Sequence, residues 1–238
     1  MRRRIAKHWK WLVAGVAVLA ALAIGGPFVY INFIEGPPPA PLSLPVADPT
    51  AGPSSSAPAP TGPPVAVDGT WTVSTGSQAG YRAREVLFGQ STEAVGRTDR
   101  VSGTMVIAGK TVRNGEFTVD LTSVASDQSQ RDNQFRGRIM DVAQWPDAKF
   151  TLASPINLGT VPAVGAEIAA KATGHLAMHG TTKQVTIDLK AVRAANTITV
   201  NGSIPVLFAD YGIANPSFGP AQTEDNGQIE FLLTFTKS

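Results

Sequence analysis

His175 and His179, in Gly-His-Leu-Ala-Met-His-Gly, have the spacing at which two histidines on a helix share one face and bind zinc. On a strand the same four residues span about 13 Å, too far for one ion. Their surroundings read as a strand running into a turn, so no metal site is expected. The carboxylates are scattered singly. Asp132 and Asp141 flank one polar segment without forming a pair, and Arg131-Asp132 reads as a surface cap or bridge. There is no Gly-x-Ser-x-Gly elbow, phosphate-binding loop or dinucleotide fingerprint. Cysteine is absent, which excludes disulfides, thiolate metal sites and a cysteine nucleophile. Asn201-Gly202-Ser203 fits a glycosylation pattern that matters only in a eukaryotic secretory pathway. No catalytic residue is expected, and the chain does not read as an enzyme.

Abundant instead are apolar residues in alternation. Phe117, Val119 and Leu121 alternate with polar neighbours, as do Val185, Ile187 and Leu189, and Ile229, Phe231, Leu233 and Phe235. Period two marks strands with one apolar face. Strands are expected near 70–75, 80–89, 99–108, 112–122, 148–154, 168–178, 183–193, 196–204 and 228–236, separated by turn residues such as Asn114-Gly115 and His179-Gly180. Asp127–Met140 breaks the pattern. It lacks a β-branched run, and Phe135 and Ile139 are four apart, so a short helix is expected, capped by Ser126 or Asp127. Trp145-Pro146 then forces an extended exit. Such a row of strands makes a sandwich or a closed antiparallel barrel. Periodicity does not decide whether the inward side chains fill the interior or line a hollow.

The first third of the chain is different. Five of the 20 basic residues lie in residues 1–10, and no acid precedes Glu35. The remaining 15 basic residues face 18 acidic ones, a net of −3, so the basic pI belongs to the tail and is not a nucleic-acid footprint. Trp11–Ile34 is an uncharged run of 24 residues, long enough to cross a bilayer of ~30 Å. Residues 1–10 thus read as a cytoplasmic tail and 11–34 as a transmembrane signal anchor, with the C-terminal part outside the cytoplasmic membrane. The alternative is a signal peptide cleaved near Ala23, which would secrete the protein. Residues 35–68 hold 11 of the 18 prolines and read as an extended, disordered spacer of up to about 100 Å. Residues 69–238 form the folded domain.

Within that domain, Val112-Arg-Asn-Gly-Glu-Phe-Thr-Val-Asp-Leu-Thr-Ser-Val124, Arg131-Asp132, the run Asp141-Val-Ala-Gln-Trp-Pro-Asp-Ala-Lys-Phe150, the turn His179-Gly-Thr-Thr-Lys183 and Phe208-Ala-Asp-Tyr-Gly-Ile213 resemble the YceI-like family in residues, order and spacing. The resemblance covers about Gly69 to Lys237. It implies an all-β fold, an eight-stranded antiparallel lipocalin-like barrel with a short helix near one end. It also implies an extracytoplasmic, bacterial lipid-binding protein, whose ligand is a polyisoprenoid or quinone-like chain. No cofactor is expected besides such an amphiphilic lipid. Positions implied to face the interior are Phe117, Val119, Leu121, Phe150, Leu152, Leu176, Met178, Val185, Ile187, Leu189, Phe231 and Leu233, with Phe135 and Trp145 closing one end. The chain departs from the family at Tyr81–Gly89, where many members carry a histidine. The alternative function is a structural or interaction module of the cell envelope, with a solid core and a protein partner.

Overall fold

A computed structural model describes Gly15, residues 37–45 and residues 66–238 of the protein. The apolar run 11–34 therefore lies, but for Gly15, outside the described residues. Among those described, no helix is long and apolar enough to cross a membrane.

The described strands are β1 (Gly69–Val73), β2 (Gln78–Leu87), β3 (Gln90–Thr98), β4 (Val101–Ala108), β5 (Thr111–Asp120), β6 (Asp147–Leu152), β7 (Ile156–Asn157), β8 (Glu167–Met178), β9 (Thr181–Arg193), β10 (Thr197–Leu207), β11 (Ala221–Thr223) and β12 (Asn226–Lys237). The order β1-β4-β5-β6-β8-β9-β10-β12 is antiparallel throughout, and β12 returns to β1 through Trp71↔Lys237 and Val73↔Phe235. This closes an eight-stranded barrel. Closure leaves the ring itself without an unpaired edge.

One wall is doubled. The first half of β12 pairs with β2, from Gln228↔Arg82 to Leu232↔Gln78, and its last residues pair with β1. β1 and β2 are in effect one strand broken at Ser74–Ser77. The buried Ser77 hydroxyl bridges the break, donating to the Ser74 carbonyl (2.8 Å) and accepting from the Thr234 amide (2.9 Å). Past the break, β2 and β3 form a hairpin that carries the wall beyond the ring, and β11 adds to β2.

β3, β7 and β11 were not expected from the sequence. β3, Gln-Ser-Thr-Glu-Ala-Val-Gly-Arg-Thr, has no alternating apolar face because one of its sides carries ion pairs rather than core. The helical segment is shorter than expected. Helix α1 spans Ser129–Gln134, and a π-type turn follows at Phe135–Ile139. Neither Ser126 nor Asp127 caps it. Gln128 takes the cap position, and Asp132 reaches back to accept hydrogen bonds from the Ser126 amide (2.8 Å) and hydroxyl (2.7 Å). Asp132 is buried by this role rather than exposed on the surface.

Two apolar clusters hold the barrel. One packs Trp71, Met105, Ile107, Ile198 and Phe235 at the end where β1 and β12 meet. The other packs Phe135, Met140, Met178, Val206, Tyr211 and Ile213 beneath the helical segment.

The proline-rich segment is not wholly a free spacer. Residues 37–45 lie along the outside of the doubled wall. The Arg82 Nη2 donates to the Pro39 carbonyl (2.7 Å), the Arg97 Nη2 to the Ala40 carbonyl (2.5 Å) and the Asn201 amide to the Leu42 carbonyl (2.8 Å), and Leu44 is buried. Proline has no N–H, so a proline-rich strand offers its neighbours mainly carbonyl acceptors. Donor side chains are the complementary partners.

Candidate functional site: an apolar cavity with a polar end

Period two on β2 turns Ala79, Tyr81, Ala83, Glu85 and Leu87 inward. Four of these five positions are alanine or carry a polar tip, so the wall they make does not fill the barrel. With Val119, Ala148, Val206 and Ile229 from other strands they line a cavity of about 820 Å³. The helical segment roofs one side through Phe135, Ile139 and Met140. That volume lies within the ~300–1,000 Å³ typical of small-molecule sites.

A second, narrower cavity of about 180 Å³ continues toward the β1–β12 end. The two share Ala79, Val119, Ala148 and Ile229 as lining, so the narrower cavity adjoins the wider one within the barrel. Aromatic rings constrict the narrower one. Phe117 and Phe150 stack with centroids 6.4 Å apart, and Phe117 meets Phe235 edge-on at 5.6 Å. The Phe150 ring lies directly on Gly174, where a β-carbon would come within 2.2 Å of its Cζ. Only glycine leaves room for that ring position.

Polar groups gather at the helical end. Tyr81 stacks on Phe135, its ring paired over Gly96 of β3. Burial pushes its phenol above the ordinary tyrosine range; the nearby Arg131 guanidinium opposes this only in part. Glu85 faces the same space, and the Arg131 Nη2 lies 3.4 Å from its Oε1 while Nη1 pairs with Asp127. Gln128, Gln130 and Gln134 of the helical segment add to the polar lining, as do Arg82, Thr223 and Gln228 of the strands. This arrangement accepts a long apolar body and offers hydrogen-bond donors and acceptors to one polar end.

Most expected interior positions line these two cavities. Val119, Leu121, Phe135 and Met178 line the wide part; Phe117, Phe150, Leu152, Leu176, Ile187, Leu189, Phe231 and Leu233 line the narrow part, where Val119 also contributes. Val185 packs against the core without lining either cavity. Trp145 lines neither cavity. Its ring covers Gly180 in the β8–β9 turn, where a β-carbon would lie 2.7 Å from Cζ2. The histidines are separated as strand geometry requires: His175 is exposed on β8, and His179 Nδ1 is hydrogen-bonded to the Tyr211 carbonyl at 2.9 Å.

Sequence reasoning missed Tyr81, Glu85 and Arg131 as cavity residues. In β2 the alternating positions 79–87 mix alanine, tyrosine, glutamate and leucine, which period-two hydrophobicity does not register as one face. Charged Arg82 and Arg84 on the other face further mask it.

No curated protein matches the chain. Among solved structures, it is similar to a polyisoprenoid-binding domain from Saccharophagus degradans implicated in plant cell-wall breakdown, at 20% identity and a TM-score of 0.58, over 71% of this chain and 98% of that one. BcnA of Burkholderia cenocepacia is similar at 19% identity and a TM-score of 0.54, over 68% and 98%. At these identities the likeness is one of fold. The family is shown by residues 71–235, which match the YceI-like domain through nearly the whole barrel, and the chain therefore belongs to the YceI-like family.

Proposed function

We propose that the protein is a non-catalytic binding protein that holds an isoprenoid-type lipid in its barrel, attached to the outer face of the cytoplasmic membrane by residues 11–34. The observation that carries this reading is the roughly 820 Å³ cavity, mostly apolar in its lining, with Tyr81, Glu85 and Arg131 among its few polar groups. An unbranched or methyl-branched chain needs no polar partner along its length. Each buried methylene contributes about 0.8 kcal/mol, so ten contribute roughly 8 kcal/mol before the costs of association. Tyr81, Glu85, Arg131, Gln128 and Gln134 would then orient the polar end. The fold shared with a polyisoprenoid-binding domain supports the same ligand class.

Native mass spectrometry of the detergent-solubilised full chain, followed by lipid extraction, tests this. The expected result is a mass increment that extracts as a prenyl lipid. A chain that remains lipid-free when expressed with its native membrane, and takes up no added prenyl lipid, would overturn it and favour the envelope interaction module.

A further inference from the structure

The strap of residues 37–45 and the open end of the cavity meet at the same place. Pro37 and Pro38 share a surface groove with Val86 of β2, Ser91–Glu93 of β3 and Gln222 of β11. These three strands carry the rim of the wide cavity. Phe88 sits at the tip of the β2–β3 hairpin, half exposed, and Phe218, just before β11, is as exposed as Phe88. Leu207, at the nearby end of β10, is exposed as well.

Phe88 is held there against its own backbone preference. Its φ is +51°, followed by Gly89 at +82°, a turn that favours asparagine or aspartate before glycine. Phe218 is fixed from outside: the Arg138 guanidinium lies 5.8 Å from its ring centroid and donates to the Pro216 carbonyl at 2.7 Å. Phe88 and Phe218 thus present two exposed rings beside the wide cavity, with a cation over Phe218. Water is a poor partner for such a surface, and a phospholipid surface is a good one.

The strap gives this rim an address. The uncharged run ends at Ile34, and three residues reach at most about 11 Å. Val86 lies two strand residues from Phe88, about 7 Å. Pro37 docks beside Val86, and the strap then runs down the barrel wall, away from the rim, to Leu42 at Asn201. We infer that residues 37–45 are a fixed strap that seats the Phe88–Phe218 rim on the phospholipid surface from which residues 11–34 emerge, so that a lipid passes from bilayer to cavity without crossing water. The inference rests on the proposed membrane attachment and lipid binding. It replaces a long spacer with a short one, and the barrel stands at the bilayer.

The natural absence of cysteine permits a direct test on the full chain in vesicles of phosphatidylethanolamine and phosphatidylglycerol. Nitroxides are placed singly at Ser217→Cys, beside the rim, and at Asn196→Cys, in the β9–β10 turn at the far end. Power saturation with oxygen and a water-soluble nickel reagent reads bilayer contact. The rim probe is expected to favour oxygen by several-fold over the far probe. Replacing residues 37–45 by a Gly-Ser segment of equal length is expected to abolish that difference. A rim probe as aqueous as the far one, or a difference that survives the replacement, would overturn the inference. Phe88→Asn guards against misfolding, because it suits the turn. It should raise the denaturation midpoint while lowering the oxygen preference at the rim, and an unchanged preference counts against a lipid-seated rim. Lipid occupancy measured on the same samples separates the two readings. An occupied barrel with an aqueous rim removes the strap inference alone, and an empty barrel with a lipid-seated rim removes the carrier reading alone.

Discussion

The rings of Tyr81 and Phe135 lie face to face, with centroids 5.0 Å apart and planes inclined by 12°. One belongs to β2 and the other to the π-type turn after α1, so the stack ties the roof of the cavity to its wall. Tyr81 can take this position because its cross-strand partner is Gly96; a β-carbon there would lie 2.4 Å from Cε1 of the ring. Gly96→Ala is expected to push Tyr81 off Phe135 and to cost about 1–3 kcal/mol, the usual range for overpacking. Urea denaturation measures the cost, and a loss of prenyl-lipid occupancy would accompany it. A variant as stable as the parent, with unchanged occupancy, would show that the stack does not set the cavity.

Tyr81 also makes an alkaline prediction. An unfolded tyrosine ionises near pH 10, and burial holds the folded Tyr81 phenol protonated beyond that. Above about pH 10 the unfolded state therefore loses a proton that the folded state keeps. Stability from this source is full below pH 10 and falls as pH rises through the folded value. Tyr81→Phe should lose less stability than the parent between pH 9.5 and 11. Equal slopes for the two proteins would refute the assignment.

The Tyr211 hydroxyl is buried and makes no hydrogen bond with any described residue, while its ring packs in the core beside Ile213. Burial, and secondarily the neighbouring Asp210, raise its pKa as well. An unpaired buried hydroxyl costs about 1–3 kcal/mol of desolvation. Tyr211→Phe removes the hydroxyl and keeps the ring, so it should be neutral or stabilising by about 1 kcal/mol. A clear drop in thermal midpoint would mean that the hydroxyl has a partner.

Two ion pairs should respond very differently to removal. Glu230 is 4% exposed and accepts from Arg97 at 2.6 Å, with the Arg82 Nε 3.4 Å away. Glu230→Ala leaves buried guanidinium charge beneath the strap and should cost about 3–5 kcal/mol. Lys171 and Asp188 also pair, but their side chains are 70% and 81% exposed. Asp188→Ala should cost less than about 1 kcal/mol. Chemical denaturation of both variants checks the contrast, and similar losses would argue that the Glu230 cluster is solvated.

Ala83 lines the wide cavity between Tyr81 and Glu85, and its cross-strand partner is the small Ala94. Ala83→Phe is expected to occupy part of the space a lipid would take, lowering prenyl-lipid occupancy by tenfold or more while the barrel stays folded. Native mass spectrometry beside circular dichroism reads both. Undiminished occupancy in a folded variant would place the lipid elsewhere.

The strands from β4 onward that close the ring, together with the turn at His179-Gly180, could be read directly from the order of residues. Phe117, Val119 and Leu121 alternate because the pleat puts every second side chain on one face, and that rule is local. The helical break at Asp127–Met140 was equally local, although its cap was not, because Asp132 reaches back through space to Ser126. The family likeness came from the same short runs. What one dimension does not carry is how much of the enclosed volume the inward side chains occupy. That depends on Ala79 and Ala83 of β2 being brought together with Ala148 of β6, and on Phe117, Phe150 and Phe231 gathering instead at the narrow end. β3 was invisible for a related reason: the partners of its Glu93 and Arg97 lie on β2 and β12, so its polar residues follow charge pairing rather than hydrophobic alternation. The proline-rich segment shows the limit most clearly. Its composition favours an extended chain, but whether residues 37–45 hang in water or lie on a wall depends on Arg82, Arg97 and Asn201, which only the closed barrel places side by side.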